Sequence, residues 1–368
     1  MARDGKKKRF SRAAFSAVCL VSAGLLAISY LSMVVDPSKL WIMTLFGIMF
    51  LPFLFLNIVL FLWSLFRGSK MAAVLLIVMI PSVFLSVRFV RFRGGSEEPS
   101  EDDIRMITYN VCAFYFDPDE ERDVYDMEGR VSLAERTAEY IMGKDADIIC
   151  LQEFFLPRGI DVMTWLSAHF PGYQICYFMN PGHLGLSGNV TLSRFPIAGK
   201  GRVKFEDTAN MAIYADLDIH GTRLRLYNCH YQSYSISLPR ILKSFGTSDN
   251  AVEDAGVKMK RAIPLRVAQV EQVLEDIESC PVRSMLAGDF NDTPLSYTYH
   301  RLIDGRKDAF VKAGKGLGST YSGFYPLLRI DYIMYPDEEL SALSCGIDRV
   351  QYSDHYPVLA TFRLVDDD

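Results

Sequence analysis

Three stretches of the chain carry no charged residue at all: Ala13–Val35, Leu40–Phe66 and Met71–Val87. Each meets the roughly 17–25 residues that a helix needs to cross a bilayer, and each lacks the polar face of a helix on a soluble core. The spacing predicts three transmembrane helices within residues 1–93. Gly94–Asp103 is small, polar and acidic and reads as a linker. Beyond it the pattern changes. Arg105–Val111 alternates like a strand, and Leu133, Ala134, Ala138, Ile141 and Met142 share one side of a helix over 131–143. Strands follow at 147–151, 173–178, 188–193, 211–219, 222–229, 283–287, 329–334 and 357–363, with helices at 159–170 and 263–278. Many strands, few helices and mixed hairpin and crossover links predict an α/β domain, 104–368, of two packed sheets with helices outside.

Charge sets the expected orientation. A signal peptide would also place Lys6, Lys7, Lys8 and Arg9 before the first run, but two further apolar runs follow, so a membrane domain is expected. Eight Lys/Arg lie before the first run and between the second and third; Lys39, Arg88, Arg91 and Arg93 lie on the other side. That bias predicts an integral membrane protein of the inner or plasma membrane with the 104–368 domain extracytoplasmic. Were the third run, broken by Pro81, only to dip into the bilayer, the domain would face the cytoplasm. From Ile104 onward 27 Lys/Arg stand against 37 Asp/Glu, a net of −10. This is a poor composition for general nucleic-acid clamping, which relies on neutralised phosphates. Cys112, Cys150, Cys176, Cys229, Cys280 and Cys345 show no CxxC spacing, which argues against zinc.

Several strand ends carry amides, carboxylates or imidazoles: Tyr109-Asn110, Leu151-Gln152-Glu153, Gly188-Asn189-Val190-Thr191-Leu192-Ser193-Arg194, Asn228-Cys229-His230, Gly288-Asp289-Phe290-Asn291, Arg329-Ile330-Asp331 and Ser353-Asp354-His355. In this order the set resembles the endonuclease/exonuclease/phosphatase superfamily, over roughly residues 104 to 364. The resemblance implies a four-layer αββα sandwich of the DNase I type with its site at one end of the two sheets.

It also implies roles. Asn110 resembles the first-strand asparagine that orients the phosphate or sits beside the metal, and Asn189 one that supports the catalytic histidine or the phosphate. His230 resembles the phosphate-contacting histidine, Asp331 and His355 a carboxylate–imidazole pair, and Asp354 the metal-side aspartate. Glu153 is the leading metal ligand, because magnesium (with manganese as a substitute) prefers oxygen donors and keeps exchangeable waters. Asp289 is placed to orient or deprotonate the attacking water and Asn291 to hold a phosphate oxygen; whether Asp289 or His355 is the base stays open. Asn110-Val111-Cys112-Ala113 lacks the carboxylate that abasic-site endonucleases carry two residues after the asparagine, which speaks against that activity. Ser193 and Arg194 read as structural, and His183 lies on a loop near the site.

The expected function is a membrane-anchored, Mg²⁺-dependent phosphoesterase that hydrolyses phosphodiesters, with lipid or lipid-linked substrates raised by the anchor. The alternatives are a membrane-tethered nuclease, a sugar- or inositol-phosphate phosphatase and a non-catalytic scaffold. Tyr231, Tyr234, Leu238, Ile241, Leu242 and Phe245 form a segment that either reaches a membrane or acyl chain or covers a core. No protein partner is inferred.

Overall fold

The computed structural model describes residues 2–95, 100–117, 122–123, 126–206, 208–234, 250–324 and 328–365. Leu238, Ile241, Leu242 and Phe245, and part of the expected linker (96–99), lie outside them. The chain divides into two units, one of Met1–Val87 with Thr293–His300 and one of Arg88–Asp292 with Arg301–Asp368. Arg88 to Gly95 therefore go with the second unit: Phe89 is buried and Val90–Arg91 pairs with Gly316–Leu317.

The first unit contains α1 (Ala2–Leu31), α2 (Ile42–Ile48), α3 (Phe50–Phe66) and α4 (Met71–Ser86). Among the described residues Ser11–Leu31 is the one helix long and apolar enough by itself to cross a membrane. The second apolar run is not one straight helix; α2 and α3 meet at a 58° bend, and α4 has 16 residues. These helices bury polar groups and expose apolar ones. Ser22, Asn57, Ser64 and Ser82 are buried, and Asn57 donates to the Ser22 carbonyl at 3.0 Å. Phe55, Phe66 and Phe84 are 70%, 83% and 74% exposed.

In the second unit twelve strands form two mixed sheets: β1 (Ile104–Asn110), β2 (Ile148–Pro157), β3 (Gln174–Pro181), β4 (Gly185–Ser193), β5 (Ile197–Val203), β6 (Met211–Ile219), β7 (Thr222–His230), β8 (Ser284–Asp289), β9 (Lys307–Asp308), β10 (Asp331–Tyr335), β11 (Leu340–Ile347) and β12 (Val358–Leu364). One sheet has the order β11-β12-β1-β2-β4-β3, the other β9-β10-β8-β7-β6-β5. The period-two pattern splits each strand between two cores. Ile104, Met106, Ile148 and Cys150 meet Ile213, Leu226, Met285 and Ile333 between the sheets. Ile107, Tyr109, Ile149 and Leu151 face outward onto α5 (Met127–Met142) and α6 (Val162–His169) through Leu133, Ile141, Trp165 and Leu166. On the far sheet α7 (Ala251–Ser279) buries Val270 and Val273, and its Asp276 accepts from the Tyr227 hydroxyl at 2.6 Å. The result is the expected four-layer αββα sandwich.

Residues at the strand ends are placed by register. β7 and β8 pair in parallel with His230 opposite Asp289, and β8 and β10 antiparallel with Asp289 opposite Asp331. Directly opposite residues share a face, so His230, Asp289 and Asp331 form one row, about 4.8 Å from strand to strand. In the other sheet β1 and β2 put Asn110 opposite Gln152.

Candidate active site

Alternation would send Glu153 to the face opposite its buried neighbour Gln152. A register shift between Leu151 and Phe154 and a left-handed Glu153 (φ 53°) break the alternation. Its carboxylate thereby reaches Asn110, whose Nδ2 donates to Glu153 Oε1 at 3.1 Å and to Asp289 Oδ2 at 3.0 Å. Asn110 thus clamps the two sheets together at the site. Both its N–H groups are committed and its Oδ1 accepts from the Cys112 amide at 2.9 Å. Asn110 thus holds the Glu153 and Asp289 carboxylates in position. The next residues hold this in place: Cys112, Ala113 and Phe114 are all left-handed (φ 44°, 50° and 56°). Such a conformation costs ~1 kcal/mol or more per non-glycine residue. Arg130, buried, offsets it by donating to the Ala113 carbonyl at 3.0 Å through Nε.

Asp289 ends β8 in a tight turn. Gly288 (φ 129°) admits no side chain, since a Cβ there would lie 2.0 Å from the Cys229 carbonyl, and Asn291 is left-handed at 52°. The Asn291 amide donates to Asp289 Oδ1 at 2.8 Å, and Asn291 Nδ2 to Asp289 Oδ2 at 2.9 Å and the Tyr231 carbonyl at 3.0 Å. With its amide hydrogens so used, Asn291 aims Asp289. Burial pushes the Asp289 carboxyl up to about 6, with His355 and His230 pulling the other way and Asp331 adding to the rise.

Two imidazoles flank Asp289. His230 Nε2 and His355 Nε2 each lie 3.8 Å from Asp289 Oδ2. His355 is the expected pair with Asp331, Nδ1 to Oδ2 at 2.9 Å. Burial alone would lower its pKa, but Asp331, Asp289 and Asp354 outweigh that and raise it well above the usual histidine range. His230 Nε2 is 3.4 Å from Glu153 Oε1, yet it is buried with no hydrogen-bond partner among the described residues. A buried polar atom in that state is normally met by a water, an ion or a bound group.

Asp289, Asp331 and His355 are also the buried acid–imidazole group whose donor atoms lie close enough to hold a metal. Their atoms are already hydrogen-bonded to each other and to Asn110 and Asn291. The oxygen donors open to solvent are Glu153 and Asp354, 38% and 41% exposed in their side chains. Carboxylates open to water are donors of the type a hard cation takes.

Asn189 lies behind this constellation. Its Nδ2 donates to the Met211 carbonyl at 3.2 Å and the Asn228 carbonyl at 3.1 Å, so it braces the strand that carries His230 and has no donor left for a phosphate. Ser193 and Arg194 are structural as expected, Arg194 pairing with Asp145 and Asp147. His183 is exposed at the tip of the β3–β4 hairpin. All seven cysteines are free.

Sequence reasoning passed over four contributors. Ser353 Oγ donates to the Asn110 carbonyl at 2.7 Å and accepts from the His355 amide at 3.1 Å. Asn228 and Gln152 bond each other across the sheets at 2.7 Å. Tyr321 sets its ring edge-on to His355, 5.2 Å between centroids. For Ser353 and Asn228 the signal lay inside the motifs themselves; for Tyr321 nothing in the local pattern marks it.

Residues 107–355 match the Endonuclease/Exonuclease/phosphatase family. The chain belongs to this family. Residues 12–89 match a Domain of unknown function (DUF8431). Solved structures with the same fold include an endonuclease/exonuclease/phosphatase from Beutenbergia cavernae DSM 12333 (20% identity, 71% of this chain and 72% of that one, TM-score 0.51). The human Nocturnin catalytic domain with bound sulfate (18%, 73% and 97%, 0.51) is a second, and a family protein from Bacteroides thetaiotaomicron (16%, 73% and 100%, 0.50) a third. No curated protein matches the chain significantly. Members of the family are phosphoester hydrolases, and the row of His230, Asp289 and Asp331 lies within the matched residues.

Proposed function

We propose that the chain is a membrane-anchored, Mg²⁺-dependent phosphodiesterase whose substrate is a lipid or lipid-linked phosphodiester. The observation that carries the catalytic part is Asp289, a buried carboxylate between two imidazole Nε2 atoms 3.8 Å away, with Glu153 clamped to it through Asn110.

Glu153 and Asp354 would hold the cation, which when bound polarises the phosphoryl group and stabilises the leaving oxygen. Asp289 is the general base. With its carboxyl pushed up to about 6 it is ionised at neutral pH yet more basic than an ordinary aspartate. His355, kept cationic by Asp331, is not free to take a proton and serves instead as a fixed positive donor to a phosphoryl oxygen. His230 supplies the second donor through its partnerless Nε2. Asn110, Asn291 and Ser353 hold these groups in place.

The inverted burial of the first unit supports the anchor. Serines and an asparagine inside with phenylalanines outside is unfavourable in water and favourable in hydrocarbon, where small and polar residues join helices. The test uses the full-length protein in mild detergent with Mg²⁺ or EDTA, against bis(p-nitrophenyl) phosphate, mixed phospholipids, plasmid DNA and sugar phosphates, with products read by mass spectrometry. Magnesium-dependent release of lipid headgroups is expected, and Glu153→Gln should abolish it. DNA cleavage with intact lipid would replace the lipid substrate by nucleic acid. A Glu153→Gln variant as active as wild type would overturn the catalytic assignment.

A further inference from the structure

The row of catalytic side chains does not stop at His230. Met211 is its register partner on β6, and beyond Met211 comes the end of β5, where Val203 pairs with Ala212. Lys204, one residue on, falls at the level of Met211. Two strand spacings, about 10 Å, thus separate the backbone of Lys204 from that of His230. Arg202 pairs with Ile213, a residue of the core between the sheets, so Arg202 takes that same face, and Lys204, just past the end of the strand, lines the same recess.

Here the structure has a recess of about 90 Å³ lined by Asn180, Arg202, Lys204, Phe205, Thr208 and Asn210, with Met211 also on its wall. Its floor is tied to the residues next to His230: Asn210 Nδ2 donates to the Tyr231 carbonyl at 3.0 Å and Thr208 Oγ1 to Gln232 Oε1 at 3.1 Å. Arg202 lies over the Phe178 ring at 5.6 Å. Neither Arg202 nor Lys204 has a carboxylate partner among the described residues, in a domain with ten more acidic than basic side chains.

From this we infer an anion subsite: Arg202 and Lys204 receive a second phosphate on the substrate, one group removed from the phosphate being cleaved. The inference rests on the phosphodiesterase reading above and narrows it to substrates with two phosphates. Two phosphodiesters bridged by a short polyol have the required span once the reach of the long cationic side chains is included. Lysines on an edge strand also serve to discourage strand pairing; that role alone would leave substrate preference untouched.

The experiment measures competitive inhibition of bis(p-nitrophenyl) phosphate hydrolysis by the full-length protein in detergent. The competitors are glycerophosphoglycerol, with one phosphate, and bis(glycerophospho)glycerol, with two. Their acylated forms, phosphatidylglycerol and cardiolipin, are compared in mixed micelles. In the wild type the two-phosphate compounds should bind at least ~10-fold more tightly, as one well-placed charged contact allows. In Arg202→Ala/Lys204→Ala that ratio should collapse to within about twofold, with the rate on bis(p-nitrophenyl) phosphate unchanged. A preference seen with both soluble and acylated pairs assigns the subsite to the headgroup; one confined to the micelles assigns it to a lipid-borne phosphate. A wild-type ratio near one, or a ratio that survives the double substitution, overturns the subsite but leaves the phosphodiesterase standing. Failure of wild type to hydrolyse bis(p-nitrophenyl) phosphate with Mg²⁺ overturns the phosphodiesterase itself.

Discussion

Asn228→Ala tests whether the buried amides behind the site hold the two sheets together. Asn228 is fully buried. Its Nδ2 donates to the carbonyls of Leu151 at 3.2 Å and Val190 at 2.9 Å, with the Thr191 hydroxyl at 3.2 Å, and its Oδ1 accepts from Gln152 Nε2 at 2.7 Å. Alanine removes two donated bonds and one accepted bond, about 3 kcal/mol at roughly 1 kcal/mol each. The space vacated by the amide adds about 1 kcal/mol. Gln152 keeps contacts to the Thr108 hydroxyl and the Cys150 carbonyl, so no further penalty for a stranded donor arises there. The expected loss is about 4 kcal/mol, a fall in melting temperature of about 8–16 °C for a domain of this size. Thermal unfolding of the full-length protein in detergent measures it. Asn228→Asp is the control: a carboxylate fills the space but cannot donate to Leu151 and Val190, so it should be at least as harmful at neutral pH. A loss below about 1 kcal/mol for alanine, or a wild-type melting temperature for aspartate, would refute the role given to these bonds.

Asp331→Asn should lower kcat by about 10³- to 10⁴-fold with little change in melting temperature, because the His355 tautomer and charge are lost while the shape is kept; steady-state kinetics beside thermal unfolding checks this. If Asp289 is the base, kcat/KM should rise with pH up to about 6 and then level, since the carboxyl must be ionised to act; a profile flat from pH 4.5 to 8 would exclude it. Asp103 is buried and held below the usual carboxylate range, first by its hydrogen bond to Arg363. A depressed folded-state pKa contributes stability that is present above the ordinary carboxylate range and disappears as pH falls through the folded value. Asp103→Asn should therefore melt earlier than wild type at pH 7, and the two curves should converge on acidification. Asp308→Ala should cost about 3–5 kcal/mol, because it removes the buried carboxylate that pairs with the buried Arg329 guanidinium; chemical denaturation reads it.

Strands and helices with strong alternation were legible in the sequence. Met211–Ile219 begins and ends where the pattern predicts, and α5 and α6 lie within a few residues of the expected spans. Three of the twelve strands carried no such pattern: β9 is only two residues long, and the other two explain themselves. β5 reads Ile-Ala-Gly-Lys-Gly-Arg-Val, with glycines where Asp216 and the Tyr214 ring press on it, and β11 is rich in small residues. The residues singled out at strand ends do lie together, while which atom of each amide points where was not legible. Asn110 and Asn291 were expected to meet metal or phosphate, and Asn189 to support the catalytic histidine or the phosphate. Each spends its N–H groups on carboxylates or main-chain carbonyls, a property of three-dimensional placement that no spacing encodes. The apolar N-terminal runs announced helices, while the 58° break within the second lay hidden in an unbroken apolar stretch.

The pairing of His230, Asp289 and Asp331 on three adjacent strands makes the centre digital. Shifting β8 by a single residue would turn Asp289 to the other face, so the site has no half-misaligned versions through which it can drift. Inserting one residue into β8 should erase activity outright, whereas changes at β5, two strands beyond His230, leave the pairing of those three residues intact. Under the anion subsite proposed above, selection has a fixed engine and an adjustable rim at the edge of the sheet.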